Sequence, residues 1–159
     1  MRLIGLTQDT YVENVLKIFN MENFKKGSLP MVHGKPLSKT HCPQTDPERE
    51  IMCKIPHASA IGSIMYAMIC TRPDVSYALS VASRYQSDPG SLHWAAVKNI
   101  LKYFRRTKNI FLVYGGGEKQ ELVARGYTDA RFTTDPDDFN SQSGYVFTLN
   151  SGGSELEEF

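Results

Sequence analysis

The chain has 159 residues, 41% of them hydrophobic and 22% charged, close to the averages of soluble globular domains. That length holds one ordinary domain or two small incomplete ones. No apolar run approaches the roughly 20 residues that span a bilayer, and Met1 to Gly5 is too short an apolar stretch for a signal peptide. The expected setting is intracellular, cytoplasm or nucleus, with neither membrane nor secretion.

Cys42, Cys53 and Cys70 are widely separated and odd in number, which fits a reducing compartment better than a disulfide framework. His41 beside Cys42 supplies two adjacent metal-binding groups, short of the four that structural zinc sites use. The net charge of +1 is unevenly divided. Residues 1–108 carry 15 Lys/Arg against 8 Asp/Glu, a balance of +7, and residues 109–159 carry 3 against 9, a balance of −6. The split reads as two units, a basic one suited to a polyanion and an acidic one; the plainer alternative is an uneven cut of charge by chance.

In chain order, Arg2 to Leu6 reads as a short strand, and Thr7 or Asp9 as the cap of a helix from Thr10 to Asn20. Val12, Val15, Leu16 and Phe19 give that helix one apolar stripe. From Met21 to Asp46, Gly27, Pro30, Gly34, Pro36 and Pro43 remove any periodicity. A connection this long predicts a linker, or a segment lying across a missing partner. Pro47 with Glu48 and Glu50 starts a short helix towards Ile55. Ser59 to Cys70 reads as a helix in which Ala60, Gly62, Ser63 and Ala67 allow close approach, while Ile61, Ile64, Met65 and Met68 supply bulk.

Thr71-Arg72-Pro73-Asp74 breaks that helix, and another is predicted from Pro73 to Gln86. Ser87-Asp88-Pro89-Gly90 stops it, and Ser91 is expected to cap a helix from Leu92 to Arg106. Its apolar stripe is Val97, Ile100, Leu101 and Phe104; its basic one is Lys98, Lys102, Arg105 and Arg106, with Lys108 nearby. Five cations on one short segment suit nucleic acid, although cations at a helix C-terminus also favour the macrodipole. Beyond Asn109 the pattern turns to strands: Ile110–Tyr114 closed by Gly115–Gly117, then Glu121–Tyr127 and Ser143–Leu149. The acidic stretch 133–142 reads as a hairpin connection, and 151–159 as a flexible tail.

Several segments in fixed order resemble one family. They are Gly5-Leu6-Thr7-Gln8 with Tyr11, Leu16, Phe19 and Met21, then Ser28-Leu29-Pro30, and Ala58 through Ala67. Thr71-Arg72-Pro73-Asp74, Ser83-Arg84-Tyr85, Pro89-Gly90, His93-Trp94 and Leu101-Lys102-Tyr103 follow. Gly126-Tyr127-Thr128-Asp129-Ala130 and Ser141 through Tyr145 complete the set. Over roughly residues 2–150 the chain resembles the Pol polyprotein of copia-type retrotransposons, nearest to plant elements, from the end of the reverse transcriptase into the ribonuclease H.

The resemblance implies an α+β fold: a helical thumb- and connection-like region at 1–108, an incomplete ribonuclease H-like antiparallel sheet at 109–150, and a divergent tail at 151–159. It places the first ribonuclease H carboxylate, a metal ligand and catalytic residue by ancestry, at Asp129. Mg2+ would serve the parent enzyme, with none expected on this chain alone. Two-metal chemistry needs several carboxylates in fixed geometry. The paired polymerase aspartates are absent, Asp137-Asp138 reads as a solvated turn, and Glu155, Glu157 and Glu158 are poor substitutes for the later carboxylates. The expected function is therefore non-specific binding of a template–primer duplex or RNA–DNA hybrid through Lys98, Lys102, Arg105, Arg106 and Lys108, with the remainder of the polyprotein as a further partner. The alternatives are an inactive degenerate remnant and a co-opted nucleic-acid-binding module.

Overall fold

The computed structural model describes residues 3–32, 34, 36–115, 124–131, 137, 142–149 and 155–158. The chain divides into two units, Gln8–Asn109 and Met1–Thr7 with Ile110–Phe159. The first is helical and the second is built of strands.

The helical unit contains α1 (Asp9–Ile18), α2 (Asp46–Cys53), α3 (His57–Cys70), α4 (Ser76–Ser83) and α5 (Ser91–Arg106). Its core joins Val12, Val15 and Leu16 of α1, Ala60, Ile61, Ile64 and Ala67 of α3, Leu79 and Ala82 of α4, and Val97, Ile100, Leu101 and Phe104 of α5. These are the apolar stripes expected from helical spacing, buried where helices face one another. Three local expectations fail. Gln8, not Thr7 or Asp9, holds the cap position of α1, and its side chain makes no cap bond; it accepts a 2.7 Å hydrogen bond from Thr71 Oγ1. Gly62 faces open space and Met65 is 41% exposed, so close approach on α3 falls to Ala60 and Ala67 in the core and to Ser63, whose carbonyl accepts from Tyr11 Oη at 3.1 Å. Pro73–Val75 forms a 3-10 turn before α4, which ends at Ser83 rather than Gln86.

α1 ends by design of its sequence. Asn20 adopts φ 55°, a left-handed conformation that asparagine tolerates. Asn20 N–H then bonds Lys17 O at 3.0 Å and Met21 N–H bonds Leu16 O at 2.7 Å, capping the last carbonyls. Met21, at 2% exposure, is pulled into the core beside Leu16. The chain is thereby turned onto α5.

The residues after α3 are held by a buried cation. Arg72 is 2% exposed. Its guanidinium grips Asp74 through Nε–Oδ1 at 3.0 Å and Nη2–Oδ2 at 2.8 Å. It also donates to Thr107 O at 3.1 Å and Thr107 Oγ1 at 2.6 Å. The rings of Phe104 and Tyr103 lie 4.8 and 5.4 Å from its central carbon. Thr107 passes its own hydroxyl proton to Tyr103 O at 2.8 Å. The cation thus sits at the negative end of the α5 dipole with a carboxylate and a carbonyl to pair it.

The strand unit contains β1 (Leu3–Leu6), β2 (Ile110–Gly115), β3 (Ala124–Arg131), β4 (Gln142–Leu149) and β5 (Glu155–Glu158). All pairings are antiparallel: β1–β2–β5 form one sheet and β3–β4 another. The tail expectation needs correction, because Glu155–Glu158 is a strand on the free edge of β2, with Leu112 opposite Leu156. An unpaired strand edge recruits whatever extended backbone can satisfy it. The glycines at 116–117 that close the first strand, the start of the second at 121–123, the hairpin connection apart from Asp137, and 151–154 lie outside the described residues.

His57 generates a prediction for stability. It is 2% exposed, its two ring nitrogens have no hydrogen-bonding partner among the described residues, and its ring lies 6.2 Å from that of Trp94. Burial first, and the neighbouring His93 second, hold its pKa below the ordinary histidine value, against a weaker backbone pull from His93. Above about pH 6.5 both folded and unfolded chains keep the ring neutral; below it the unfolded chain takes up a proton that the buried ring resists. Stability therefore falls as pH drops through about 6.5. Urea denaturation of His57→Leu across this range should show a shallower loss than the unsubstituted chain, and an identical slope would contradict the assignment.

Candidate nucleic-acid interface

The basic stripe of α5 arises from residues three and four apart, opposite the apolar stripe that faces the core. The structure divides the five expected cations into two sets. Arg105 is turned inward along the surface, donating from Nε to Glu22 O and from Nη1 to Phe24 O. Lys108 pairs with Glu13 of α1 at 2.6 Å, and this lysine first of all holds the Glu13 carboxyl below its ordinary pKa. Lys98 and Lys102 are half-buried and Arg106 is exposed. None of these three has a carboxylate partner within salt-bridge distance among the described residues.

Arg105 acts on the segment that the Asn20 turn directs onto α5. Gly27 N–H donates to Lys102 O at 2.9 Å. A Cβ at Gly27 would stand 3.0 Å from Lys102 Cβ and 3.2 Å from Tyr103 N, so any larger residue would push the segment off the helix by a few tenths of an ångström. Residues 22–27 are therefore a fitted part of the helical unit, which corrects the expectation of a linker across a missing partner. The segment carries Lys25 and Lys26, both exposed, and Lys26 lines a groove with Arg105 and Lys108. Reading the sequence had missed them, although the Lys25-Lys26 doublet was a visible signal. An open groove of about 500 Å³ runs between α1, this segment and the end of α5, lined by Glu13, Leu16, Lys17, Glu22, Lys26, Arg105 and Lys108.

The later half of the connection is also packed. Leu37 is buried, and its carbonyl accepts a 2.8 Å hydrogen bond from Tyr85 Oη. Gly90, not Ser91, takes the cap position of α5, and its N–H donates to His93 Nδ1 at 2.9 Å. Thr45 caps α2, while Gln44 N–H and Thr45 N–H donate to Glu48 Oε2 at 2.9 and 3.2 Å. These bonds hold the Glu48 carboxyl below its ordinary pKa.

Asp129 stands on β3 directly across from Gly144 of β4; its side chain lies outside the described residues. Among the described residues, no three His, Cys, Asp or Glu come together in a way that could hold a metal ion, the His41-Cys42 pair included. Tyr127, Tyr145 and Phe147 on this pair of strands are exposed, with Phe147 edge-on to Tyr145 at 5.8 Å. Among the described residues no helix is long and apolar enough to cross a membrane.

No family model matches the chain, and no solved structure matches it. Over 151 residues it is 46% identical to the retrovirus-related Pol polyprotein from transposon TNT 1-94 of Nicotiana tabacum, covering 95% of the chain and 11% of that polyprotein. It is 34% identical over 151 residues to the retrovirus-related Pol polyprotein from transposon RE2 of Arabidopsis thaliana, covering 92% of the chain and 9% of the polyprotein. It is also 42% identical over 101 residues to the secreted RxLR effector protein 161 of Plasmopara viticola, covering 64% of the chain and 70% of that protein. The chain thus spans about a tenth of the length of the plant polyproteins it matches. It belongs to the copia-like Pol polyproteins of transposons and corresponds to one stretch of them.

Proposed function

We propose that the helical unit grips the phosphate backbone of a template–primer duplex or RNA–DNA hybrid, as the thumb- and connection-like region of a reverse transcriptase. The observation that carries this reading is the row of cations without carboxylate partners among the described residues, Lys98, Lys102 and Arg106 on α5, extended by Lys25 and Lys26. Phosphate contacts of this kind position a duplex without reading its sequence. Arg105 and Lys108, offered by the sequence for the same role, act within the fold and are proposed as supports. The strand unit is proposed to be the opening of a ribonuclease H. Asp129 would be one Mg2+ ligand in the complete enzyme, and the remaining carboxylates would come from elsewhere in the polyprotein. That remainder is the proposed protein partner, and the proposed site of action is intracellular.

A second reading is a small nucleic-acid-binding module working outside a polyprotein. Its working outside a polyprotein is favoured by the Plasmopara viticola relative, a secreted effector 70% of whose own length falls within the match.

Mobility-shift titration with an RNA–DNA hybrid across a salt series tests the grip. Binding should be weak, insensitive to sequence and steeply weakened by salt. Replacing Lys98, Lys102 and Arg106 by alanine together should flatten the plot of log affinity against log salt by about 0.9 per lost contact, with little change in stability. Arg105→Ala should do the reverse. It should destabilise the helical unit by about 0.5–1.5 kcal/mol, since two exposed carbonyls exchange a charged donor for water, while leaving the salt slope near that of the unsubstituted chain. No binding at low salt, or equal effects from both variants, would overturn the assignment.

A further inference from the structure

Three of the four histidines converge where residues 36–44 cross the N-terminal end of α5. The crossing is a backbone-to-backbone contact: a Cβ at Gly90 would stand 1.8 Å from His41 O. His93, fully buried, joins both sides. Its Nδ1 accepts the Gly90 N–H at 2.9 Å and its Nε2 faces Ser38 O at 3.2 Å. A backbone N–H only donates, so Nδ1 must carry a lone pair; a carbonyl only accepts, so Nε2 must carry the proton. The ring is thus fixed as one neutral tautomer. It stacks on Tyr85 at 4.1 Å with the planes 1° apart, and Tyr85 Oη holds Leu37 O.

His41 repeats the arrangement. Its Nδ1 accepts the Ser38 N–H at 3.2 Å, closing the 3-10 turn Lys39–His41, and its ring stands edge-on to His93 at 6.1 Å. From these contacts we infer that residues 36–44 form a strap that acid releases from α5. A proton on His93 Nδ1 ejects the Gly90 N–H and sets a cation in the first turn of α5, where the helix dipole is positive. Displaced from His93, the Gly90 backbone no longer holds the place against which His41 O is packed.

The titratable and charged groups around His93 are consistent with release. His41 faces it from the strap, where Lys39 and Cys42 flank that residue; Tyr85 faces it from the end of α4; and His57 acts on it from α3. Asp88, in the loop leading to Gly90, is engaged with Arg49 of α2 at 3.7 Å. The far end of the strap is fastened differently, by the Glu48 carboxylate at Gln44 and Thr45, and this fastening holds until the pH falls into the carboxylate range. Mild acid therefore frees one end only. Leu37 and the first turn of α5 become exposed while residues 44–48 stay in place.

Hydrogen exchange of the full chain, corrected for intrinsic rates and read by mass spectrometry from about pH 7.5 to about pH 5, tests this. Opening of the segment 37–42 should grow by about tenfold per pH unit once histidine begins to titrate, while α3 and the later turns of α5 keep their protection. In His93→Gln, whose side chain does not titrate in this range, that slope should vanish. The slope should persist in His57→Leu, which removes the separate acid sensitivity of the core. Strap protection that ignores pH, or that is lost only together with α3 and α5, would overturn the inference. So would a full slope retained in His93→Gln.

Discussion

The guanidinium of Arg72 joins parts of the helical unit that the chain connectivity leaves apart: the turn after α3, the entry to α4 and the C-terminal end of α5. At 2% exposure it has lost most of its water, and that loss is tolerable only because Asp74, Thr107 and two aromatic rings replace the solvent. Removing one partner of such a group typically costs about 3–5 kcal/mol. A domain's whole stability is on the order of 5–15 kcal/mol, so one side chain decides a large part of whether α3, α4 and α5 share a core. The same contact terminates α5 at Thr107, one residue before Lys108 reaches back to Glu13. The position of every cation on the outer face of α5 follows from where that helix is pinned.

With α5 fixed, the irregular residues between α1 and α2 acquire a surface to lie on. Asn20 turns the chain, Gly27 lets it approach, Arg105 ties its carbonyls, and His93 with Tyr85 secures its later half. Backbone that lacks a helix or sheet must still satisfy its polar groups, and here much of that satisfaction comes from α5 side chains. The arrangement sorts the cations by task. Those close to loop carbonyls or to Glu13 are engaged inside the fold, and Lys98, Lys102 and Arg106 have no carboxylate partner among the described residues.

Much of the helical unit was legible in the sequence because it rests on periodicity. The apolar steps in α1 and α5 name core residues almost one for one, as Val97, Ile100, Leu101 and Phe104 illustrate, while on α3 Ile61 and Ile64 enter the core and Met65 does not. The connection was not legible, since its order depends on contacts between residues far apart: Tyr85 with Leu37, Arg105 with Glu22, His93 with Ser38. Arg72 is visible within Thr71-Arg72-Pro73-Asp74, yet nothing local shows that its partner lies 35 residues away at Thr107. Composition likewise shows five cations between Lys98 and Lys108 but not which are engaged. At Asp129 the strands supply a register, opposite Gly144, that the sequence alone does not give.

The account depends most on the link between Arg72 and the end of α5. A double-mutant cycle with Arg72→Met and Thr107→Val, measured by urea denaturation of the full chain, isolates it. Thr107→Val removes the hydroxyl that Nη2 reaches and keeps the carbonyl that Nη1 reaches, so it breaks the side-chain half of the link without shortening the side chain. The two changes should be strongly non-additive, with a coupling above about 1 kcal/mol, as for side chains that share a buried network. Simple additivity of the two losses would contradict a structure organised around this guanidinium.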